Sequence, residues 1–282
     1  MTAVGNIGRP TGPGQLMNAS ATDTIRIIVN AERTVAVSSP DHLIPWGTSR
    51  NNSRNPRFNE KLCRLYPATR ALKILDLGCA GGGFVKDCID AGHLAVGLEG
   101  SDYSQRHRRA EWATIPEFLF TCDITGAFEV LLQEPVATTR VQFDVVTSWE
   151  VLEHITEADL DRLIANVKQH LAPGGLWIMS IASYDDICNG VNLHQTVKPQ
   201  AWWVEQFRRR GLEHHAEYVR YFNTQYVRGP KFGAPGSFHL VLCAPGAPVP
   251  AIPRERITTR LLDRWIGSRP QRILRLLVVG NW

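Results

Sequence analysis

The sequence predicts a doubly wound α/β fold, and three observations predict it. From Ala71 to Gly246, short apolar runs recur between helical stretches: KILDL, LAVGL, FLFTCDI, FDVVTS and LWIMSIA. They alternate little, as strands covered on both faces of a parallel sheet must. The first run stops in a glycine cluster, LDLGCAGGGF from Leu75 to Phe84, which reads as strand, tight turn and helix. Acids close successive runs, Asp76, Glu99 and Asp123, at the strand ends where open α/β sheets bind ligands.

Each element follows from local pattern. Met1 to Ala21, rich in Gly, Pro, Ser, Thr and Asn without apolar periodicity, reads as a mobile arm. Between Thr24 and Ser38 two β-rich runs, TIRIIV and RTVAVS, predict a hairpin. Asp41 to Leu62 is dense in Asn, Arg and Ser around Trp46 and Phe58: either a surface loop whose polar side chains satisfy their own backbone, or a functional loop. Strand one, Lys73–Leu77, then leads into a helix near Val85 to Ala91. Strand two at Leu94–Leu98, a helix near Ser104 to Trp112, strand three at Phe118–Ile124 and strand four at Phe143–Ser148 follow. Leu160, Leu163, Ile164, Val167 and Leu171 mark one helix face, which Pro173, Gly174 and Gly175 end. After strand five and a loop through Tyr184 to Lys198, QAWWVEQFRRRG predicts a helix that buries Trp203, Val204 and Phe207 and stops at Gly211. AEYVRYF and FHLVLCAP are both β-rich and predict a closing strand pair, with Gly229 to Gly236 as a loop.

Pro245, Pro248, Pro250 and Pro253 form a stiff linker to the tail. There Ile257, Leu261, Leu262, Trp265 and Ile266 share a helix face, and Ile273 to Val279 form a second apolar run. The tail is read in two ways: a helix packed on the domain with its arginines facing water, or an interfacial anchor for an anionic membrane or a lipid-linked substrate. The organisation is therefore residues 1–70 as arm, hairpin and polar segment, 71–246 as the α/β domain, and 247–282 as linker and basic tail, with everything after Pro253 expected to be dispensable for folding.

Composition narrows the class. A chain of 282 residues with 44% hydrophobic and 21% charged content suits one sizeable domain with extensions. Six cysteines without a CxxC pair, several in apolar runs, suit free thiols in a reducing compartment and a cytoplasmic protein. No basic start leads into an apolar core, and no apolar run reaches the ~20 residues that span a bilayer. From Arg254 onward seven arginines face Glu255 and Asp263, so the tail carries +5 and the remaining chain −1. A nearly neutral body offers no basic face for nucleic acid.

The order LDLGCAGGGF, VGLEG, CDI, FDVVTSWEVLEHI and LAPGGLWIMS resembles the class I S-adenosylmethionine-dependent methyltransferases, over roughly Ala71 to Gly246. The resemblance implies a Rossmann-like sheet of seven strands, mostly parallel with a closing antiparallel strand, and S-adenosylmethionine as cofactor. By it, Asp76, Gly78, Cys79, Ala80 and Gly82 line the methionine part, Glu99 takes the ribose hydroxyls and Asp123 the adenine, with Ile124 and Trp149 completing the set. Ala80 replaces a glycine of the common pattern, which requires a negative φ there. The polar segment before strand one takes the place of a cap, with Trp46, Arg50, Asn51 and Arg54 as groups for a polyhydroxylated acceptor.

The resemblance makes the reaction a methyl transfer, probed best through its acceptor chemistry. If the acceptor is a hydroxyl of a sugar, glycan or secondary metabolite, its proton must leave, and His154 or His194 is placed to take it, with Glu150 nearby. Glu150, Glu153 and His154, with His194, also resemble the cation site of the small-RNA 2′-O-methyltransferases and the ubiquinone-pathway O-methyltransferases. Base, cation site and structural packing all stay open for EVLEH. A nicotinamide-dependent oxidoreductase shares the glycine turn and the acid after strand two but leaves Asp76, Asp123 and EVLEH unused. A cofactor-binding scaffold without catalysis is the non-enzymatic alternative.

Overall fold

The computed structural model describes residues 2–7, 25–268, 270, 271, 273 and 274. Along the chain run β1 (Thr2–Ile7), β2 (Ile25–Ala31), α1 (Pro40–Leu43), α2 (Pro56–Cys63), β3 (Lys73–Leu77), α3 (Gly83–Asp90), β4 (Leu94–Glu99), α4 (Tyr103–Arg106) and β5 (Leu119–Thr121). After these come β6 (Phe128–Gln133), β7 (Thr138–Arg140), β8 (Phe143–Trp149), α5 (Leu160–His170), β9 (Leu171–Ala182) and the short pair β10 (Ile187–Cys188) and β11 (Val191–Asn192). The remaining named elements among the described residues are α6 (Gln200–Arg209), β12 (Glu213–His214), α7 (Ala216–Phe222), β13 (Ser237–Cys243) and α8 (Ile257–Trp265).

The main sheet has seven strands in the order β12-β13-β9-β8-β3-β4-β5. It is parallel from β9 to β5, and β13 joins β9 antiparallel. Its centre is dry: every residue of β8 is buried, as are Ile74 to Leu77 of β3. From β3 the chain winds outward through β4 and β5, then returns to β8 on the other side, so the order reverses between β3 and β8. The loops leaving these strands diverge there and open a crevice.

Several expectations change. RTVAVS is not a strand; β2 pairs with β1 on one side and β6 on the other, in a second sheet of order β1-β2-β6-β7. The chain leaves that sheet because Arg33 is used elsewhere: its Nε donates to Asp123 Oδ2 at 2.7 Å and its carbonyl accepts from Asp123 N at 2.9 Å. Residues 2–7 of the expected arm are thus strand, and residues 8–21 lie outside the described residues. The helix expected over Ser104 to Trp112 is only α4 and a separate 3-10 turn, Ala110–Ala113, because Arg108 and Ala110 take φ of 47° and 48°. AEYVRYF is α7, not a strand: Tyr218, Tyr221 and Phe222 at helical spacing are buried together, and the edge strand beside β13 is instead the two residues Glu213–His214.

The tail is tied to the domain. Asp263 of α8, fully buried, meets Lys61 and Arg57 of α2. Residues 275–279 of the second apolar run lie outside the described residues, while Ile273 and Leu274 are exposed. Among the described residues no helix is long and apolar enough to cross a membrane. All six cysteines are free.

Candidate active site

A cavity of ≈ 470 Å³ opens at the reversal point between β3 and β8. Its wall includes Asp76, Gly78, Cys79, Ala80, Glu99, Asp123, Ile124, Trp149, Glu150 and His154, so most of the residues singled out from sequence meet in one place. Gly82 and His194 do not line it, although His194 stands just behind.

The turn after β3 is held from several sides. Gly78 at φ 70° donates its N–H to Leu98 O at 2.7 Å, and a Cβ there would stand 2.4 Å from Val151 Cγ2. Ala80 has φ 48°, which corrects the negative φ required above; an alanine in the left-handed region costs about 1 to 2 kcal/mol. Two bonds hold it there: Ala80 N donates to Glu99 Oε2 at 2.7 Å, and Trp112 Nε1 donates to Ala80 O at 2.8 Å. Gly81 and Gly83 are crowded by chain rather than by ligand: a Cβ on either would stand 2.6 or 2.7 Å from Asn52 Oδ1. The polar segment therefore presses directly on the glycine turn. Trp46, Arg50 and Asn51 line the cavity, with the Arg50 guanidinium 3.0 Å from the Trp46 ring centre. Arg54 faces away and pairs with Asp87 and with Glu111 at 2.5 Å.

Three strand-end carboxylates face the crevice in different states. Asp76 accepts from Thr147 Oγ1 at 2.7 Å, and burial raises its pKa to about 7. Glu99, raised by burial, accepts from Ser101 N at 3.2 Å and Thr48 Oγ1 at 3.3 Å besides Ala80 N. For Asp123, burial is outweighed by bonds from Thr125 and Arg33, which lower its pKa. Trp149 Nε1 is buried in the wall without a partner.

Beyond Trp149 the chain turns through Glu150 at φ 58°, whose Oε2 accepts from Ser237 Oγ at 2.7 Å while Oε1 is buried and unpartnered. Glu153 is fully buried; Oε1 accepts from Ala182 N at 3.0 Å and Oε2 has no partner. Burial, then Glu150, raises its pKa to about 8. The His154 and His194 rings lie edge to face at 4.7 Å. Nδ1 of His154 stands 3.1 Å from Leu193 O and 2.6 Å from Asp41 Oδ2, and Nδ1 of His194 stands 2.5 Å from Tyr184 O. A carbonyl only accepts, so each Nδ1 carries a hydrogen; a ring offers a lone pair at Nε2 only in its neutral form, so a cation at His154 would have to displace the Nε2 proton. For His154 burial is outweighed by Asp41, which raises its pKa to about 9; for His194 burial, then His154, lowers it. Ligand atoms of Glu153, His154 and His194 lie within 4.8 Å of one another, a spacing that can hold a cation. Glu150 is outside that group. Sequence reasoning missed Asp41, Thr48 and Arg33, because nothing in their local spacing signals partners far along the chain.

A family model described as a methyltransferase domain matches residues 50–226. The ubiquinone biosynthesis O-methyltransferase of Mesorhizobium japonicum (strain LMG 29417 / CECT 9101 / MAFF 303099) is 27% identical over 202 residues, 70% of this chain and 68% of that protein. That of Roseobacter denitrificans (strain ATCC 33942 / OCh 114) is 33% identical over 111 residues, 39% of this chain and 41% of its own length. Among solved structures, Burkholderia thailandensis 1,6-didemethyltoxoflavin-N1-methyltransferase with bound 1,6-didemethyltoxoflavin and S-adenosylhomocysteine aligns at TM-score 0.49 and 15% identity, over 80% of this chain and 97% of that one. The glycopeptide N-methyltransferase MtfA with S-adenosylhomocysteine aligns at TM-score 0.46 and 16% identity, over 73% and 98%.

Proposed function

Since the chain belongs to the methyltransferase-domain family and is an S-adenosylmethionine-dependent methyltransferase, we propose that it methylates a hydroxyl of a sugar, glycan or secondary metabolite, with a divalent cation at Glu153, His154 and His194. The oxidoreductase alternative ends with that membership. The wall suits the cofactor by its donor set: carboxylates at three strand ends and an unpartnered indole N–H. Asp76 would receive the ammonium group, Glu99 the ribose hydroxyls, and Asp123 with Ile124 the adenine, with Gly78, Cys79 and Ala80 forming the floor. Gly82 is assigned to packing against Leu119 instead. When bound, the cofactor supplies an electrophilic methyl group, and the protein's work is placement.

The observation that carries the cation is the unpartnered Glu153 Oε2 beside two imidazoles whose Nδ1 atoms are already committed to carbonyls. Outer-sphere bonds of this kind orient imidazole ligands in metal sites. A divalent cation there would stabilise the acceptor oxygen as its proton leaves. Oxygen as acceptor is supported by relatives named O-methyltransferases. A polyhydroxylated acceptor is supported by polar groups across the cavity: Arg50, Asn51, Tyr184 and Arg228, whose Nε is buried without a partner.

Methyl-label transfer to a panel of hydroxylated acceptors tests this, run with EDTA and with Mg²⁺ or Mn²⁺ restored. The cation reading expects loss on chelation and recovery on addition. Activity indifferent to EDTA, with kcat lowered roughly 10²- to 10⁴-fold in His154→Ala or His194→Ala at unchanged cofactor affinity, would instead make a histidine the base. Full turnover in both variants under both conditions would leave EVLEH as packing.

A further inference from the structure

We propose that α8 seats this protein on an anionic lipid surface. Ile257, Leu261, Leu262 and Trp265 are 76, 57, 49 and 43% exposed. At 100° per residue these four share one arc of the helix, with Asp263 on the opposite side. A helix packed on a domain normally turns its apolar arc inward; here the inward side is the charged one.

The orientation is locked by charge. Asp263 is fully buried, its Oδ1 accepting from Arg57 Nε and its Oδ2 from Lys61 Nζ, both at 2.7 Å. Lys61 Nζ, also fully buried, reaches Glu255 Oε1 at 2.5 Å. The Asp263 carbonyl accepts from Gln225 Nε2 at 2.5 Å, Lys231 Nζ at 2.7 Å and Thr224 Oγ1 at 3.0 Å. Rolling α8 to cover its leucines would strand these buried charges without partners, which costs far more than the apolar contact returns.

Charge also selects the occupant. Both acids of this stretch, Glu255 and Asp263, are turned toward Lys61, so its negative charge is spent inside. Arg254 and Arg256 just before the helix and Arg260 and Arg264 on it are all exposed, and Arg264 flanks the apolar arc beside Ile257. Leucine and tryptophan flanked by arginine complement an anionic bilayer interface, where apolar burial and attraction to the headgroups add. Just past α8 the chain packs on the segment that leads to the cavity wall: a Cβ on Gly267 would stand 2.7 Å from the Phe232 ring, next to Gly233, which lines the cavity.

Full-length protein is co-sedimented with vesicles of phosphatidylcholine alone and of phosphatidylcholine with phosphatidylglycerol. Binding to the anionic vesicles is expected to exceed binding to the neutral ones at least about tenfold at low salt and to fall steeply at about 0.5 M NaCl. L261Q/W265Q should lose about tenfold at an unchanged melting temperature, because both side chains face solvent, and R256Q/R260Q should lose the salt-sensitive part. Equal recovery on both vesicle types, or undiminished binding by L261Q/W265Q, would overturn the proposal. So would self-association in sedimentation velocity that L261Q/W265Q abolishes without any vesicle binding, which would assign the face to a second copy.

Discussion

Glu99 joins the glycine turn to the cavity. Its carboxylate fixes Ala80 N, Ser101 N and Thr48, and the lone pairs left over face the cavity. Glu99→Ala is expected to weaken S-adenosylhomocysteine binding by about 1.5 to 3 kcal/mol, the usual worth of hydrogen bonds to a charged group. Calorimetric titration checks it, and wild-type affinity in a folded variant would end the ribose assignment. His239 governs acid stability instead. Its ring stacks on Tyr226 with centroids 3.5 Å apart, its Nε2 lies 2.9 Å from Arg228 O, and burial lowers its pKa to about 4. Between that value and the unfolded value near 6.5, the unfolded chain binds the extra proton, so stability falls as pH drops through this window. The loss should approach about 3 kcal/mol by pH 4, at about 1.4 kcal/mol per unit. Urea titrations across the window should show this slope in the wild type and a flatter one in His239→Gln.

At the scale of elements, legibility followed the length of the pattern. β3, β4 and β8 were readable because runs buried on both faces are mostly apolar and do not alternate, with their few polar residues near the strand ends. α5 was readable because eleven residues hold three turns of one apolar face. The seven residues of AEYVRYF satisfy either period, and β propensity pointed the wrong way until Tyr221 found Lys61 O at 2.8 Å. The break after α4 carried no glycine signal, since Arg108 and Ala110 supply the positive φ. EVLEH and the loop after β9 were readable as converging; Asp41, which reaches His154 from α1, was not. Of the two readings of the tail, a helix packed on the domain with exposed arginines agrees with the contacts of α8, but that Asp263 makes them was not legible, because nothing in the sequence pairs it with Lys61 and Arg57, 202 and 206 residues earlier. Asp263→Ala should leave Lys61 and Arg57 underpaired and cost about 3 kcal/mol or more, the usual result of removing one partner of a buried pair. Release of α8 should appear as faster proteolysis in the Pro248–Pro253 linker, and an unchanged digestion pattern and urea midpoint would count against the tether.

At the scale of the whole molecule, the segments outside the family match brace the core from two sides. α8 closes on α2, and β2 extends the sheet formed by β6 and β7, an insertion between β5 and β8. Ile27 and Val29 of β2 are buried at 0 and 2% exposure, and Arg33 just beyond holds Asp123 on the cavity wall. Deleting residues 1–32 should therefore act on stability more than on binding. Removing two fully buried aliphatic side chains forfeits about 1.5 to 3 kcal/mol each and bares the β6 edge, so a loss of at least about 3 kcal/mol is expected. Arg33→Ala keeps β2 and loses the side-chain bonds to Asp123, Thr125 and the exposed Glu32, so it should melt close to wild type while binding S-adenosylhomocysteine more weakly. That partition is the test: the deletion must lower the urea midpoint far more than Arg33→Ala does. If both variants unfolded alike, β2 would be an ornament on the edge of the domain and not part of what holds Asp123 in place.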